Sequence, residues 1–126
     1  MHLSHLDHLV LTVNDIATSV NFYQRVLNMQ KVNFGQDRIA LSFGQQKINL
    51  HEKGKEFEPK AYRPTTGSAD LCFISATPME KIVDHLHNCN ITILEGPIVR
   101  TGATGSILSV YIRDPDQNLI EIANLQ

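Results

Sequence analysis

DHLVLTV, at residues 7–13, is the stretch that decides the fold, together with the helical pattern that follows it. Leucine and β-branched residues in this run predict a β-strand. Asp15 has the side chain of a helix N-cap, and Asn28 favours the left-handed conformation that ends a helix. Between them, apolar residues recur at helical spacing: Ile16, Val20, Tyr23 and Leu27. The first 28 residues therefore predict a strand followed by a helix that is capped by Asp15 and ends at Asn28.

The same order of signals returns 62 residues later, with Asp70 in the place of His8. DLCFI at residues 70–74 predicts a strand. Thr77 can cap the next helix, Pro78 suits its first position, and Glu80 completes a capping box. Asn90 marks its end, and its apolar stripe consists of Met79, Ile82, Val83 and Leu86. We therefore expect a duplicated module of about sixty residues.

Three further strands complete each module. They are predicted at about 29–35, 38–43 and 47–52 in the first module, and at about 91–94, 107–113 and 119–124 in the second. The polar stretch 53–67 links the modules, 96–105 is a long loop, and 114–118 is a strong turn by composition. The expected fold is α+β: one domain over 1–126, with module one at about 5–52 and module two at about 68–125.

Composition excludes several classes of function. A chain of 126 residues with a formal net charge of −2 has no basic field, so nucleic acid and membrane are not expected partners. Two cysteines, Cys72 and Cys89, are too few for a disulfide framework, and Cys72 is expected to be an inert core thiol. The N-terminus shows no signal-peptide pattern. We expect a cytoplasmic protein that acts on a small molecule.

Polar side chains at equivalent strand positions predict the chemistry. His8 and Asp70 are related by the repeat, and Glu121 lies between Ile120 and Ile122, an unusual place for a carboxylate without a partner. Either Asn49 or His51 can be the counterpart of Glu121, because both lie on one face of their strand.

Four groups, His8, His51, Asp70 and Glu121, are thus expected to line one concave surface. Two imidazoles with one or two carboxylates suit a divalent ion: Fe²⁺, Mn²⁺, Ni²⁺ or Zn²⁺. Such a set leaves open positions for substrate oxygens. The metal ligands we predict are His8, His51, Glu121 and Asp70, with Asp70 and Glu121 as the catalytic groups.

Three stretches resemble the vicinal oxygen chelate superfamily of glyoxalases, bleomycin-resistance proteins and extradiol dioxygenases. They are DHLVLTV at 7–13, FYQRVLNM at 22–29 and DPDQNLIE at 114–121. A narrower likeness, carried by QKINLHE at 46–52, EFEPK at 56–60 and RTGATG at 100–105, is to glyoxalase domain-containing protein 5 and the biphenyl-2,3-diol 1,2-dioxygenase III-related proteins. The resemblance implies paired βαβββ modules whose mixed sheets curl round a metal, and a homodimer.

The resemblance also assigns roles to individual residues. The first-strand histidine of the family matches His8 and its last-strand glutamate matches Glu121. Asp70 stands where the family often has histidine, and Asn49 where glyoxalase I usually has a carboxylate. We expect His51 to be the substitute ligand, and Asp70 to be a fourth ligand or a nearby base.

Two classes of function follow from the resemblance. The first is a metal-dependent enzyme acting on vicinal oxygens, either a glyoxalase-like lyase or a catechol-cleaving dioxygenase. Arg100 and Tyr111 are candidate substrate contacts in this enzyme. The second is a metal-free binding protein of the bleomycin-resistance type. The candidate ligands favour the enzyme.

Overall fold

The N-terminal half folds as a β-strand, a helix and three more strands. In the computed structural model, which describes all residues from 1 to 126, these are β1 (His8–Val13), α1 (Ile16–Leu27), β2 (Gln30–Phe34), β3 (Arg38–Phe43) and β4 (Gln46–Glu52). They form a four-stranded sheet in the order β1-β4-β3-β2, in which β1 and β4 are parallel and the other pairs antiparallel. The first predicted module is confirmed.

The second half repeats this arrangement. Its elements are β5 (Asp70–Ile74), α2 (Met79–Asn88), β6 (Glu95–Thr101), β7 (Ser106–Arg113) and β8 (Leu119–Leu125). The sheet order is β5-β8-β7-β6, again with one parallel pair and two antiparallel pairs. The chain divides into two units, Met1–Thr66 and Gly67–Gln126. The predicted α+β fold of two βαβββ modules is confirmed.

Each sheet buries one face under its own helix. In the first unit, Val20, Tyr23 and Val26 of α1 are buried together with Leu41, Ile48 and Leu50 of the sheet. In the second unit, the buried residues are Met79, Ile82 and Leu86 of α2 with Val110, Ile112, Ile120 and Ile122. Because strand side chains alternate, the polar residues between these apolar ones point to the opposite face. Neither helix is long and apolar enough to cross a bilayer.

The two helices begin differently, although their sequences predict similar caps. Asp15 caps α1 as expected, since its carboxylate accepts a hydrogen bond from the Thr18 backbone N–H at 2.9 Å. The N-cap of α2 is Pro78 rather than Thr77, and no side chain caps it. The predicted capping box is therefore wrong: the backbone of Thr77 instead bonds to Ser75 and Asn124. Asn28 and Asn90 both adopt positive φ at the helix ends, as predicted.

This difference gives a stability prediction. Asp15→Ala is expected to lower the melting temperature because it removes the capping bond of α1, whereas Thr77→Ala is expected to leave it nearly unchanged. Thermal unfolding followed by circular dichroism measures both. Equal losses in the two variants would mean that Thr77 caps its helix after all.

Strand β6 is the largest departure from the predicted elements. The strand expected at about 91–94 lies instead at Glu95–Thr101, inside the stretch predicted as a loop. Gly96 and Pro97 suggest a loop, but β6 is an edge strand with a register irregularity between Glu95 and Ile98, where a missing N–H is tolerated. Gly96 is required here, because a Cβ would lie 2.3 Å from the Ser109 carbonyl oxygen and its φ is +105°.

Candidate metal centre

The register of β1 and β4 defines the polar face of the first unit. His8 pairs with Lys47, Val10 with Asn49, and Thr12 with His51. Paired residues project to the same side of a sheet, so these six side chains share the face opposite α1. Counted along β4 from the position paired with His8, Asn49 is two residues further on, a distance of about 7 Å. His51 is four residues further on, a distance of about 13 Å.

The second unit has the same register and resolves which residue corresponds to Glu121. Asp70 pairs with Leu119, Cys72 with Glu121, and Ile74 with Ala123. Since Asp70 is the counterpart of His8, Glu121 takes the place that Asn49 has in the first unit. The counterpart of His51 is Ala123. Of the two alternatives left open by the sequence, the register therefore selects Asn49.

His8 is held in an orientation that suits a metal ligand. Its ring Nδ1 donates to the Asp7 carboxylate at 2.8 Å, and this hydrogen bond lowers the pKa of Asp7. A carboxylate on one ring nitrogen fixes the tautomer and directs the other nitrogen, here Nε2, outward. The side chain is 43% exposed, so an ion or a substrate can reach it.

Asn49 is buried in an unusual way. The residue is only 5% exposed, and its side-chain oxygen Oδ1 has no hydrogen-bond partner. An unsatisfied buried polar group costs about 1–3 kcal/mol, so proteins rarely keep one without a use. An amide oxygen is a hard ligand for a divalent cation, and binding an ion would satisfy it.

His51 is engaged elsewhere on the same face. It is 2% exposed, its Nε2 accepts from an Arg38 guanidinium N–H at 3.4 Å, and the Phe57 ring packs edge-on at 5.6 Å. Burial lowers the pKa of this imidazole, the charge of Arg38 lowers it further, and Glu56 acts in the opposite direction. His51 is thus packed between Arg38 of β3 and Phe57 in the segment after β4.

Glu121 lies at the centre of a polar network on β7 and β8. Ser109 Oγ donates to Glu121 Oε2 at 2.6 Å, and Tyr111 of β7 is paired directly with Glu121 across the sheet. Arg100 Nε donates to the Tyr111 hydroxyl at 3.1 Å and forms an ion pair with Glu95 at 3.0 Å. A carboxylate placed between two isoleucines in a strand requires polar partners. These contacts supply them and orient the Glu121 carboxylate.

The same carboxylate changes the acidity of its neighbours. Partial burial and the charge of Glu121 raise the pKa of the Cys72 thiol to about 11. Burial likewise raises the pKa of Tyr111; Arg100 opposes this shift and Glu121 adds to it. Cys72 is exposed rather than in the core, which corrects the sequence expectation, but its thiol is protonated at neutral pH and therefore unreactive.

Asp70 is exposed, on the same face of the second unit as Glu121. Each unit thus presents part of the predicted set: His8 and His51 in the first, Asp70 and Glu121 in the second. The structure contains no group of three or more His, Cys, Asp or Glu side chains arranged to hold a metal ion. The four-residue ligand set remains a prediction.

Several polar residues on these two faces could not be recognised as site residues from the sequence alone. Ser109 is fully buried against Glu121, and Arg38 contacts His51, Phe34 and Phe57. Alternation along β3 and β7 places both residues on the polar faces, but only once the strand register is known. Without the register neither residue stands out.

The fold of two βαβββ modules agrees with the family to which the sequence belongs. The sequence model of the Glyoxalase/Bleomycin resistance protein/Dioxygenase superfamily matches residues 5–122, and the chain belongs to that superfamily.

Two relatives in sequence are similar over nearly the whole chain. Virulence protein STM3117 of Salmonella typhimurium is 59% identical over 98% of this chain and 85% of its own length. Its crystal structure superposes with a TM-score of 0.99 over all of both chains. Glyoxalase domain-containing protein RDO1 of Mycosarcoma maydis is 55% identical over 96% of this chain and 68% of its own length.

A more distant solved structure shares only the fold. The fosfomycin resistance protein FosX from Listeria monocytogenes, in complex with Mn(II) and 1S,2S-dihydroxypropylphosphonic acid, is 18% identical with a TM-score of 0.65. It covers 97% of this chain and 90% of its own. These similarities support the superfamily, but not the narrower likeness to glyoxalase domain-containing protein 5 or to the biphenyl-diol dioxygenases.

Proposed function

We propose that this protein is a divalent-metal-dependent enzyme acting on a small molecule with two neighbouring oxygens. The candidate ligands are His8 and Asn49 on the polar face of the first unit and Glu121 on that of the second, supplied by one chain or by two copies of it, and Asp70 is the candidate acid–base group. The observation that carries the proposal is Asn49 Oδ1, which is buried without a partner at the position equivalent to Glu121. In this proposal His51 is a packing residue of the polar face and does not bind the ion.

The donor set fits a hard or borderline divalent ion. One imidazole nitrogen, one amide oxygen and one carboxylate suit Mn²⁺, Fe²⁺, Ni²⁺ or Zn²⁺, and leave positions for two substrate oxygens. The bound ion would act as a Lewis acid that polarises a substrate carbonyl or hydroxyl.

The side chains of this protein supply the remaining functions. Asp7 holds the His8 ring, and Ser109 holds the Glu121 carboxylate. Asp70 is exposed on the face of Glu121, where a carboxylate can take a proton from a bound substrate and return it at a neighbouring atom. We assign no substrate class beyond vicinal oxygens at this point. Both a lyase of the glyoxalase type and a ring-cleaving dioxygenase are compatible with this set of residues.

Metal binding tests the proposal. Wild-type protein supplemented with Mn²⁺, Fe²⁺, Ni²⁺ or Zn²⁺ is expected to retain close to one ion per chain of at least one of these metals. His8→Ala is expected to weaken binding of that ion about a hundredfold, because it removes the only imidazole ligand. Calorimetric titration and elemental analysis after dialysis measure both quantities. His87→Ala, an exposed histidine on α2, is the matched control.

The alternative is a metal-free protein that binds and sequesters a small molecule. The amide of Asn49 favours it, because it carries no charge at the position where the second unit has the Glu121 carboxylate. Retention below about 0.2 ion per chain, with no difference between wild type and His8→Ala, would establish this alternative against the enzyme. The homodimer implied by the superfamily is measured in the same samples by light scattering, with and without metal.

A further inference from the structure

Two positive charges lie over one aromatic ring on the polar face of the first unit. The ammonium nitrogen of Lys47 is 3.8 Å from the centroid of the Phe34 ring, and the guanidinium carbon of Arg38 is 5.0 Å from the same centroid. The two charged groups therefore lie within about 9 Å of each other. Arg38 also lies 4.6 Å from the Phe57 ring.

Neither Arg38 nor Lys47 forms an ion pair with a carboxylate. The ion pairs of the first unit join His8 to Asp7, Lys55 to Glu52, and Lys60 to Glu56 and Glu58. The Asp7 carboxylate is bound to His8, and this hydrogen bond, with a smaller contribution from the charge of Lys47, lowers the pKa of Asp7. Glu56 is bound to the Gly54 backbone N–H and to Lys60.

The donors of Arg38 are largely unused. Its one side-chain hydrogen bond is the long contact to His51 at 3.4 Å, and its Nε is buried without a partner. Proteins normally pair a guanidinium in such a position, since it offers five N–H donors in a fixed plane. Two cations over one ring that form no ion pair repel each other, and a bound anion would relieve this repulsion.

The position of these cations links them to the proposed metal centre. Lys47 pairs directly with His8 across β1 and β4, and Asn49 follows two residues along the strand. A ligand that reaches His8 and Asn49 with its vicinal oxygens can lay an apolar stem on Phe34. Its negatively charged end then lies between Lys47 and Arg38. A carboxylate or phosphate has several oxygens, so one such group can accept charge-assisted hydrogen bonds from both side chains.

We propose that Arg38 and Lys47 form an oxyanion subsite over Phe34, and that the substrate is an organic anion bearing a carboxylate or a phosphate group. The substrate class rests on the function proposed above, but anion binding at this face does not require the metal.

The test is a titration of the full-length, metal-free protein followed by ¹H–¹⁵N NMR, with inorganic phosphate in one series and acetate in the other, at fixed ionic strength. Saturable shifts are expected at Phe34, Arg38 and Lys47, and at the Arg38 side-chain N–H, at millimolar anion. Tighter saturation by phosphate assigns a phosphate group, and tighter saturation by acetate assigns a carboxylate. No saturable shift with either anion up to about 50 mM would overturn the proposal.

Charge-neutral variants locate the binding. Arg38→Gln and Lys47→Met are each expected to weaken anion binding at least about fivefold. Lys31→Met, an exposed lysine on the opposite face of the same sheet, should change it less than about twofold. An equal loss in Lys31→Met would show a general charge effect and refute the subsite. If Arg38→Gln does not fold, Lys47→Met decides alone.

The two proposals can fail separately. His8→Ala is expected to lose metal and keep anion binding. If anion binding is absent while wild-type metal binding is intact, only the subsite is refuted. If the subsite binds anions but no metal is retained, only the metalloenzyme is refuted.

Discussion

Glu121→Gln is expected to lower the affinity of the protein for the proposed divalent ion by about a hundredfold or more while the fold stays intact. The amide removes the negative charge that offsets the charge of the ion, but it keeps an oxygen that can accept from Ser109. Calorimetric metal titration measures the affinity, and thermal unfolding of the metal-free protein checks the fold.

Glu80→Gln is the matched control for this variant. Glu80 lies in the first turn of α2, outside the polar face, and its replacement should leave metal affinity unchanged. If Glu121→Gln binds metal as tightly as wild type, Glu121 is a structural carboxylate that serves only Ser109, Tyr111 and Cys72. The ligand set of the proposed centre would then be wrong.

Asn118→Ala is expected to lower the free energy of unfolding by about 3 kcal/mol. Asn118 is fully buried, its Oδ1 accepts from the Ala69 backbone N–H at 2.8 Å, and its Nδ2 donates to Asp114 at 2.8 Å. Removing the amide leaves a backbone donor and part of a buried carboxylate without partners, next to the strand that carries Asp70. Chemical denaturation of the metal-free protein measures the change.

Two further variants separate this network from a general effect. Asn33→Ala removes an exposed asparagine from β2 and should change stability by less than about 0.5 kcal/mol. Asn118→Asp keeps the acceptor for Ala69 but places a second carboxylate beside Asp114, so it should destabilise more at neutral pH than at acidic pH. If Asn118→Ala is as stable as the wild type, the turn at 114–118 does not depend on this side chain.

The duplicated fold was predictable because its signals are local. A strand, an N-cap, a helix stripe and a positive-φ asparagine each depend on neighbouring residues, and their recurrence from His8 to Asp70 fixes the repeat. The errors occurred where tertiary context decides. An edge position lets Gly96 and Pro97 belong to β6, and the contacts of Thr77 with β8 displace its capping bond.

The candidate site was predictable only in part, because strand register depends on pairing between distant residues. The repeat made His8 and Asp70 candidates, and the position between two isoleucines made Glu121 one, but the sequence could not rank Asn49 against His51. Pairing of Val10 with Asn49 and of Cys72 with Glu121 makes Asn49 the counterpart. The orphan oxygen of Asn49 and the cations over Phe34 likewise depend on three-dimensional packing.

X-ray absorption spectroscopy at the metal edge of the loaded protein tests the central claim most directly, because it counts imidazole ligands. We expect one imidazole, from His8, among oxygen ligands, and a spectrum unchanged in its ligand count by His51→Gln. Two imidazoles in the wild type, one of them lost in His51→Gln, would contradict the assignment of Asn49. Such a result would make His51 a ligand of the ion.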